Sequence, residues 1–236
     1  MRNQFFPEFF LQCCDAIEYI DFGNACASTN NCYGDLRPGG AYYWFSWPAR
    51  LGLSNNFLIY ANFLLLLLSV VLSASALLLI NKRAATANFQ SSRRKGFMPG
   101  ASSLVIHLVF LWPTIFTSLS DPPAALFFLN GIWLLLLSYQ KPTIEKIFFL
   151  LVAGLFLGFS AWIRAFYFYP VLVGVFLCCL SALTKPRRNF AYAIMLSALI
   201  PLGFQFSNTY SQYGKWSYFS GNAANDVSNM HLTSTA

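Results

Sequence analysis

N-F-L-I-Y-A-N-F-L-L-L-L-L-S-V-V-L-S-A-S-A-L-L-L-I, residues 56–80, contains no charged side chain and is dominated by leucine. A helix needs about 20 consecutive apolar residues to cross the hydrocarbon of a bilayer, and this run supplies them with some tilt. It ends at Asn81-Lys82-Arg83, and a basic stretch with Arg93, Arg94 and Lys95 follows. The composition agrees: of 236 residues, 57% are hydrophobic, 18% aromatic and only 10% charged. A soluble domain carries about 25% charged residues, so there is too little charge here to cover so much apolar surface in water. The net charge of +7 would point to nucleic acid in a soluble protein. Here the basic residues sit in short clusters between apolar runs, which reads as loop placement and gives no reason to expect a nucleic-acid partner.

Outward from this run, five more spans are expected, at about 102–118, 124–138, 147–163, 166–183 and 190–206. His107 falls inside the second, where an interhelical hydrogen bond explains it better than chemistry does. Pro113 is expected to kink the same span. Between the second and third lies a polar break, L-S-D-P-P at 119–123, which puts the carboxylate of Asp121 at a helix entry. Arg164 directly follows the fourth span. The fifth ends at Lys185-Pro186-Arg187-Arg188, and the chain is polar after the sixth. Residues 1–55 hold five of the eight acids. A short interfacial helix is expected from Asp15 to Ala27. Arg37-Pro38-Gly39-Gly40 reads as a turn, and the aromatic stretch A-Y-Y-W-F-S-W after it as headgroup-level. The predicted fold is all-α: a single polytopic transmembrane bundle of about six spans over 56–206, an N-terminal extracytoplasmic region over 1–55, and a polar extracytoplasmic tail over 207–236.

Six alternating spans give a test of sidedness. With the 81–100 loop inside, the inner loops hold Lys82, Arg83, Arg93, Arg94, Lys95, Lys141, Lys146, Lys185, Arg187 and Arg188, against the one acid Glu145. The outer segments hold Arg2, Arg37, Arg50, Arg164 and Lys215 with the other seven acids. Lys and Arg accumulate in cytoplasmic loops, so the acidic front end, Asp121, Arg164 and the tail are expected on the outer face. Cys26 and Cys32 lie on that side, where an oxidising compartment would let them form a small disulfide loop. Cys178 and Cys179 read as apolar filler. No histidine partners Cys13 and Cys14 at metal spacing.

Five stretches occur in a recognisable order: D-A-I-E-Y-I (15–20), R-P-G-G-A-Y-Y-W (37–44), S-D-P-P-A-A-L-F (120–127), A-G-L-F-L-G-F-S-A-W-I-R-A (153–165) and N-T-Y-S-Q-Y-G-K-W-S-Y-F-S-G-N (208–222). In this order the chain resembles the polytopic GT-C glycosyltransferases, nearest to the protein O-mannosyltransferase and lipid A aminoarabinose transferase group. Against that pattern it is expected to be shortened at both ends. The resemblance implies a bacterial inner (plasma) membrane protein that takes sugar from a polyprenyl-phosphate carrier in the bilayer. The acceptor would be a glycan, a lipid or a protein, and attack would invert the anomeric centre.

The resemblance places the catalytic base at Asp15, with Glu18 and Tyr19 following; a solvated acid on an interfacial helix is the plainer reading. Glu18 is three residues on and shares a helical face with Asp15. Two carboxylates so placed could raise one pKa or hold a divalent metal; no other cofactor is implied. Asp121 reads as a helix cap ahead of Pro122 and Pro123, and the resemblance adds a supporting place beside the site, with Tyr19. Arg164, a guanidinium at the end of an apolar run, must snorkel, pair with an outer acid, or hold phosphate. Lys215 is a second phosphate candidate. Two other readings stay open: a non-catalytic membrane subunit or remnant of such an enzyme, and a small polytopic transporter.

Overall fold

The computed structural model describes residues 14–29, 32, 39–87, 107, 121–138, 141–182 and 188–213. Every regular element among them is helical: α1 (Cys14–Thr29), α2 (Gly39–Arg50), α3 (Phe57–Ala87), α4 (Asp121–Ser138), α5 (Thr143–Ile163), α6 (Phe168–Ala182) and α7 (Arg188–Tyr213), with a 3-10 turn at Ala165–Tyr167. The all-α expectation holds. Among the described residues three helices are both long and apolar enough to cross a membrane: Phe57–Leu79 within α3, α4, and α5. The expected span at 102–118 lies outside the described residues apart from His107. The fifth is shorter than expected, because the 3-10 turn takes its first residues and α6 has 15. The sixth is longer, 26 residues, but carries Gln205, Asn208 and Thr209 through its last turns. Apolar runs mark hydrocarbon depth, whereas helical hydrogen bonding continues beyond it; α3 and α7 overrun their apolar segments for that reason.

The surface is what lipid requires. Leu64 is 65% exposed, Val71 60%, Phe176 61% and Leu196 60%. Soluble monomers rarely expose apolar patches of such extent. In a bilayer the same side chains meet acyl chains at no cost, so packing between helices must come from close fit and buried hydrogen bonds. Both are present. His107 Nε2 and Ser69 Oγ of α3 lie 2.9 Å apart in the interior, so that histidine is hydrogen-bonded to a membrane helix. Asn130 of α4 donates from Nδ2 to the Leu65 carbonyl oxygen at 3.1 Å, and Leu66 packs on Leu126.

α5 is the central helix, packed on α4 and on α7. Its G-L-F-L-G stretch explains the fit to α7. A Cβ at Gly154 would meet the Ile194 carbonyl oxygen at 2.5 Å, and one at Gly158 the Ala198 carbonyl oxygen at 2.5 Å. The two backbones touch because both positions lack a side chain.

α1 and α2 pack on each other, and α2 rests on α5, forming a cap at one end of the bundle. Gly39 and Gly40 do not form the expected turn: they open α2. Arg37 and Pro38 lie outside the described residues. Gly40 lies against the Trp162 backbone, where a Cβ would clash with the Trp162 carbonyl. The aromatic stretch after it faces inward in part, since Tyr42 and Phe45 are buried and Tyr19 stacks on Phe45 at 4.9 Å. Gly52, with φ +68°, closes α2 in the left-handed conformation that favours glycine.

A buried side chain of α7 fastens the cap. Gln205 Oε1 accepts the Gly39 N–H at 2.9 Å, satisfying a donor that the start of a helix otherwise leaves open. Gln205→Leu removes that acceptor and leaves a buried N–H. We expect a loss of about 1–3 kcal/mol and faster hydrogen exchange confined to the first turn of α2. Wild-type exchange there would mean that the cap is held by its aromatic contacts alone.

Candidate functional site

The site is assembled from three elements at the cap end of the bundle. α5 ends because Arg164 adopts extended backbone (φ −138°, ψ 123°), its N–H still donating to the Ser160 carbonyl oxygen at 3.0 Å. This turn directs the guanidinium across the end of the bundle. Arg164 Nε lies 2.9 Å from Asp121 Oδ1 in the first turn of α4. Arg164 Nη1 donates to the Tyr19 hydroxyl of α1 at 3.1 Å. One cation thus joins α1, α4 and α5. The Tyr167 hydroxyl, on the 3-10 turn, is within electrostatic reach of both Asp121 and Arg164.

Three of the residues singled out from the sequence therefore meet: Arg164, Asp121 and Tyr19. Of the readings open for Arg164, pairing with an acid is observed. Asp121 does more than occupy a helix entry, since its carboxylate is half exposed and faces the guanidinium. Asp15 and Glu18 belong to α1, which is helical as expected; their side chains are outside the described residues. Register places Asp15 four residues before Tyr19, on the same helical face. Lys215 is outside the described residues. Among the described residues no group of three or more His, Cys, Asp or Glu could hold a metal ion. Phe166 and Tyr169, beside Arg164 in the chain, are 75% and 63% exposed, as aromatics at the membrane–water boundary are.

A groove of about 250 Å³ opens between the cap and the bundle. Gly40, Tyr43, Trp44 and Trp47 of α2 form one wall; Phe127 of α4 and Phe159, Trp162 and Ile163 of α5 form the other. Its rings pack edge to face and tilted, with Trp44 on Phe127 at 5.5 Å and Tyr43 on Trp162 at 5.3 Å. The indole N–H groups of Trp44 and Trp162 are buried and find no acceptor among the described residues. Two lining residues, Trp162 and Ile163, lead directly into Arg164. The aromatic content of 41–47 was visible in the sequence, but the pairing of that stretch with Phe127 and Trp162 was not. No periodicity joins residues so far apart in the chain.

Chemically, the arrangement offers a cation held in place by a carboxylate and a phenol, and an apolar slot walled by aromatic rings whose lining residues Trp162 and Ile163 directly precede Arg164 in the chain. It suits a ligand with an anionic head and a hydrocarbon body. Comparison with models of protein families, with curated proteins and with solved structures finds no match.

Proposed function

We propose that this chain is a membrane glycosyltransferase that moves a sugar from a polyprenyl-phosphate donor to an acceptor at the extracytoplasmic face, as a multi-pass protein of a bacterial inner membrane. The observation that carries the proposal is an aromatic groove whose lining residues Trp162 and Ile163 run directly into Arg164 in the chain, the guanidinium being held by Asp121 and Tyr19. Phosphate would sit on Arg164, whose planar fork suits its oxygens, and the start of the polyprenyl chain would lie in the groove. Lys215 of the tail would add a second positive charge. Asp15 lies on the face of α1 that brings Tyr19 to Arg164, and in this reading it is the base, supported by Glu18 or by a divalent metal between the two. Its carboxylate takes the acceptor's proton, and the acceptor oxygen bonds to the anomeric carbon with inversion. The bond from that carbon to the phosphate oxygen breaks, and the phosphate leaves onto Arg164.

A second reading has one observation in its favour: the charge of Arg164 is already met by Asp121. In that reading the chain is a non-catalytic subunit and the guanidinium locks three helices together. The two readings separate in a binding experiment on the full chain in detergent, with farnesyl phosphate and farnesol as probes and tryptophan fluorescence as readout. Under the transferase reading, wild type binds the phosphate about tenfold or more tightly than the alcohol, the scale of a charge-assisted hydrogen bond. Arg164→Met removes that preference. Equal affinity for the two probes in wild type would remove phosphate from the site.

A further inference from the structure

We propose that the Cys26–Cys32 disulfide is a reducible latch on the cap, and that Arg50 is the group that stabilises its reduced state. The two cysteines are bonded, as their outer placement in the sequence allowed, and both are fully buried against Tyr42. A guanidinium lies on the sulfurs. Arg50 Nη2 is 3.1 Å from Cys32 Sγ, 3.5 Å from Cys26 Sγ and 3.2 Å from the Cys26 carbonyl oxygen. Arg50 is itself held, by Nε to Ser46 Oγ at 3.2 Å and over the Tyr43 ring at 5.8 Å.

A disulfide is neutral and its sulfurs are weak acceptors, so it gains little from an adjacent positive charge. A thiolate gains a great deal, because a neighbouring arginine favours ionisation of a thiol. Whatever stabilises the thiolate stabilises the dithiol state, which makes the disulfide the stronger oxidant. Arg50 therefore sits where it serves the reduced pair better than the bonded one. The exchange partner is a dithiol, or two molecules of a monothiol such as glutathione. One thiolate attacks Cys26 Sγ, the Cys26–Cys32 bond breaks, and Cys32 departs as a thiolate beside the guanidinium. The second thiol then resolves the mixed disulfide. Cys26 is released, two electrons have passed to the pair, the partner's thiols have supplied the protons, and the partner leaves as a disulfide. Burial limits the rate, since both sulfurs are enclosed and must be exposed before attack. Arg50 acts on the equilibrium.

The consequence reaches the site. Cys26 follows Tyr19 by seven residues, two turns along one face of α1. Freeing that end of α1 loosens the helix whose Tyr19 hydroxyl holds Arg164. This inference does not depend on the sugar-transfer reading.

The test equilibrates the full chain in detergent micelles against glutathione and dithiothreitol buffers, traps free thiols with an alkylating reagent, and quantifies the Cys26 and Cys32 peptides by mass spectrometry. We expect wild type to be reduced by millimolar glutathione without denaturant. Arg50→Met, similar in length but uncharged, should lower the equilibrium constant for reduction about tenfold, the effect of losing a cation beside a thiolate, with Arg50→Lys between the two. Hydrogen exchange in α1 should rise on reduction. Coincident titrations of wild type and Arg50→Met would overturn the proposal. Should Arg50→Met fail to give monodisperse protein, wild type decides alone: a pair that millimolar glutathione leaves bonded in the absence of denaturant is a static cross-link, and the latch is wrong.

Discussion

Gly154→Ala and Gly158→Ala should each lower the thermal stability of the protein in detergent, while Gly174→Ala and Gly203→Ala should not. All four are helical glycines, so intrinsic propensity predicts the same effect at each: replacing glycine by alanine within a helix favours folding by roughly 0.5–1 kcal/mol. Their surroundings separate them. A Cβ at Gly154 comes against Ser197 Oγ and the Ile194 carbonyl oxygen; one at Gly158 meets the Ala198 carbonyl oxygen at 2.5 Å and the Pro201 ring at 2.9 Å. Main-chain atoms cannot swing aside as the end of a side chain can, so the two helices must move apart along their length. Overpacking of this kind costs about 1–3 kcal/mol, which outweighs the propensity gain, and in a chain of this size about 2–4 °C in melting temperature per kcal/mol. Nothing lies within 4 Å of a Cβ at Gly174 or Gly203, so those two variants should melt at or slightly above wild type. Leucine at Gly154 or Gly158 should do worse than alanine and yield aggregated protein. Should all four alanine variants shift alike, the contact between α5 and α7 is not what holds this bundle together.

The same pair of glycines separates what the sequence determines locally from what packing decides. The length and apolarity of 56–80 and 147–163 were enough to place membrane helices there, because hydrocarbon imposes one requirement on any backbone that crosses it. The spacing of Gly154 and Gly158 was visible too, but G-x-x-x-G names no partner; only Ile194 and Ala198, some forty residues on, show that its face meets α7. The cap was less legible for a related reason. Arg37-Pro38-Gly39-Gly40 carries the residues of a turn, and local propensity gives no sign that Gln205 accepts the Gly39 N–H and that Gly40 sits on Trp162. A contact across 166 positions overrode a local preference. At the site, charge bookkeeping put Asp121, Arg164 and the acids of α1 at one end, and the bonds Arg164 makes to Asp121 and Tyr19 agree. The groove between α2, α4 and α5 exists only once those helices are packed.

Asp121→Asn should strengthen binding of farnesyl phosphate, although it breaks an ion pair. The direction follows from what Asp121 does in each state. Without ligand its carboxylate neutralises Arg164 at 2.9 Å, but the two side chains are 53% and 36% exposed. A pair so wetted contributes under about 1 kcal/mol to folding, so Asp121→Asn should melt close to wild type. With a phosphate on Arg164 the same carboxylate becomes a like charge a few ångströms away. At that range, in a partly screened environment, repulsion of about 1–2 kcal/mol remains, and relieving it tightens binding by roughly tenfold. Asparagine keeps the shape and can still accept a hydrogen bond from Arg164, so the guanidinium stays where Tyr19 holds it. Arg164→Met moves the affinity the other way, and adding Asp121→Asn to it should recover only part of the loss. The purely structural reading makes a different prediction: both single variants soften the bundle slightly, and neither changes the affinity for phosphate over alcohol. Because the expected change in stability is small and the expected change in affinity is not, one set of variants distinguishes a strut from a ligand-binding arginine without any knowledge of the sugar or its acceptor.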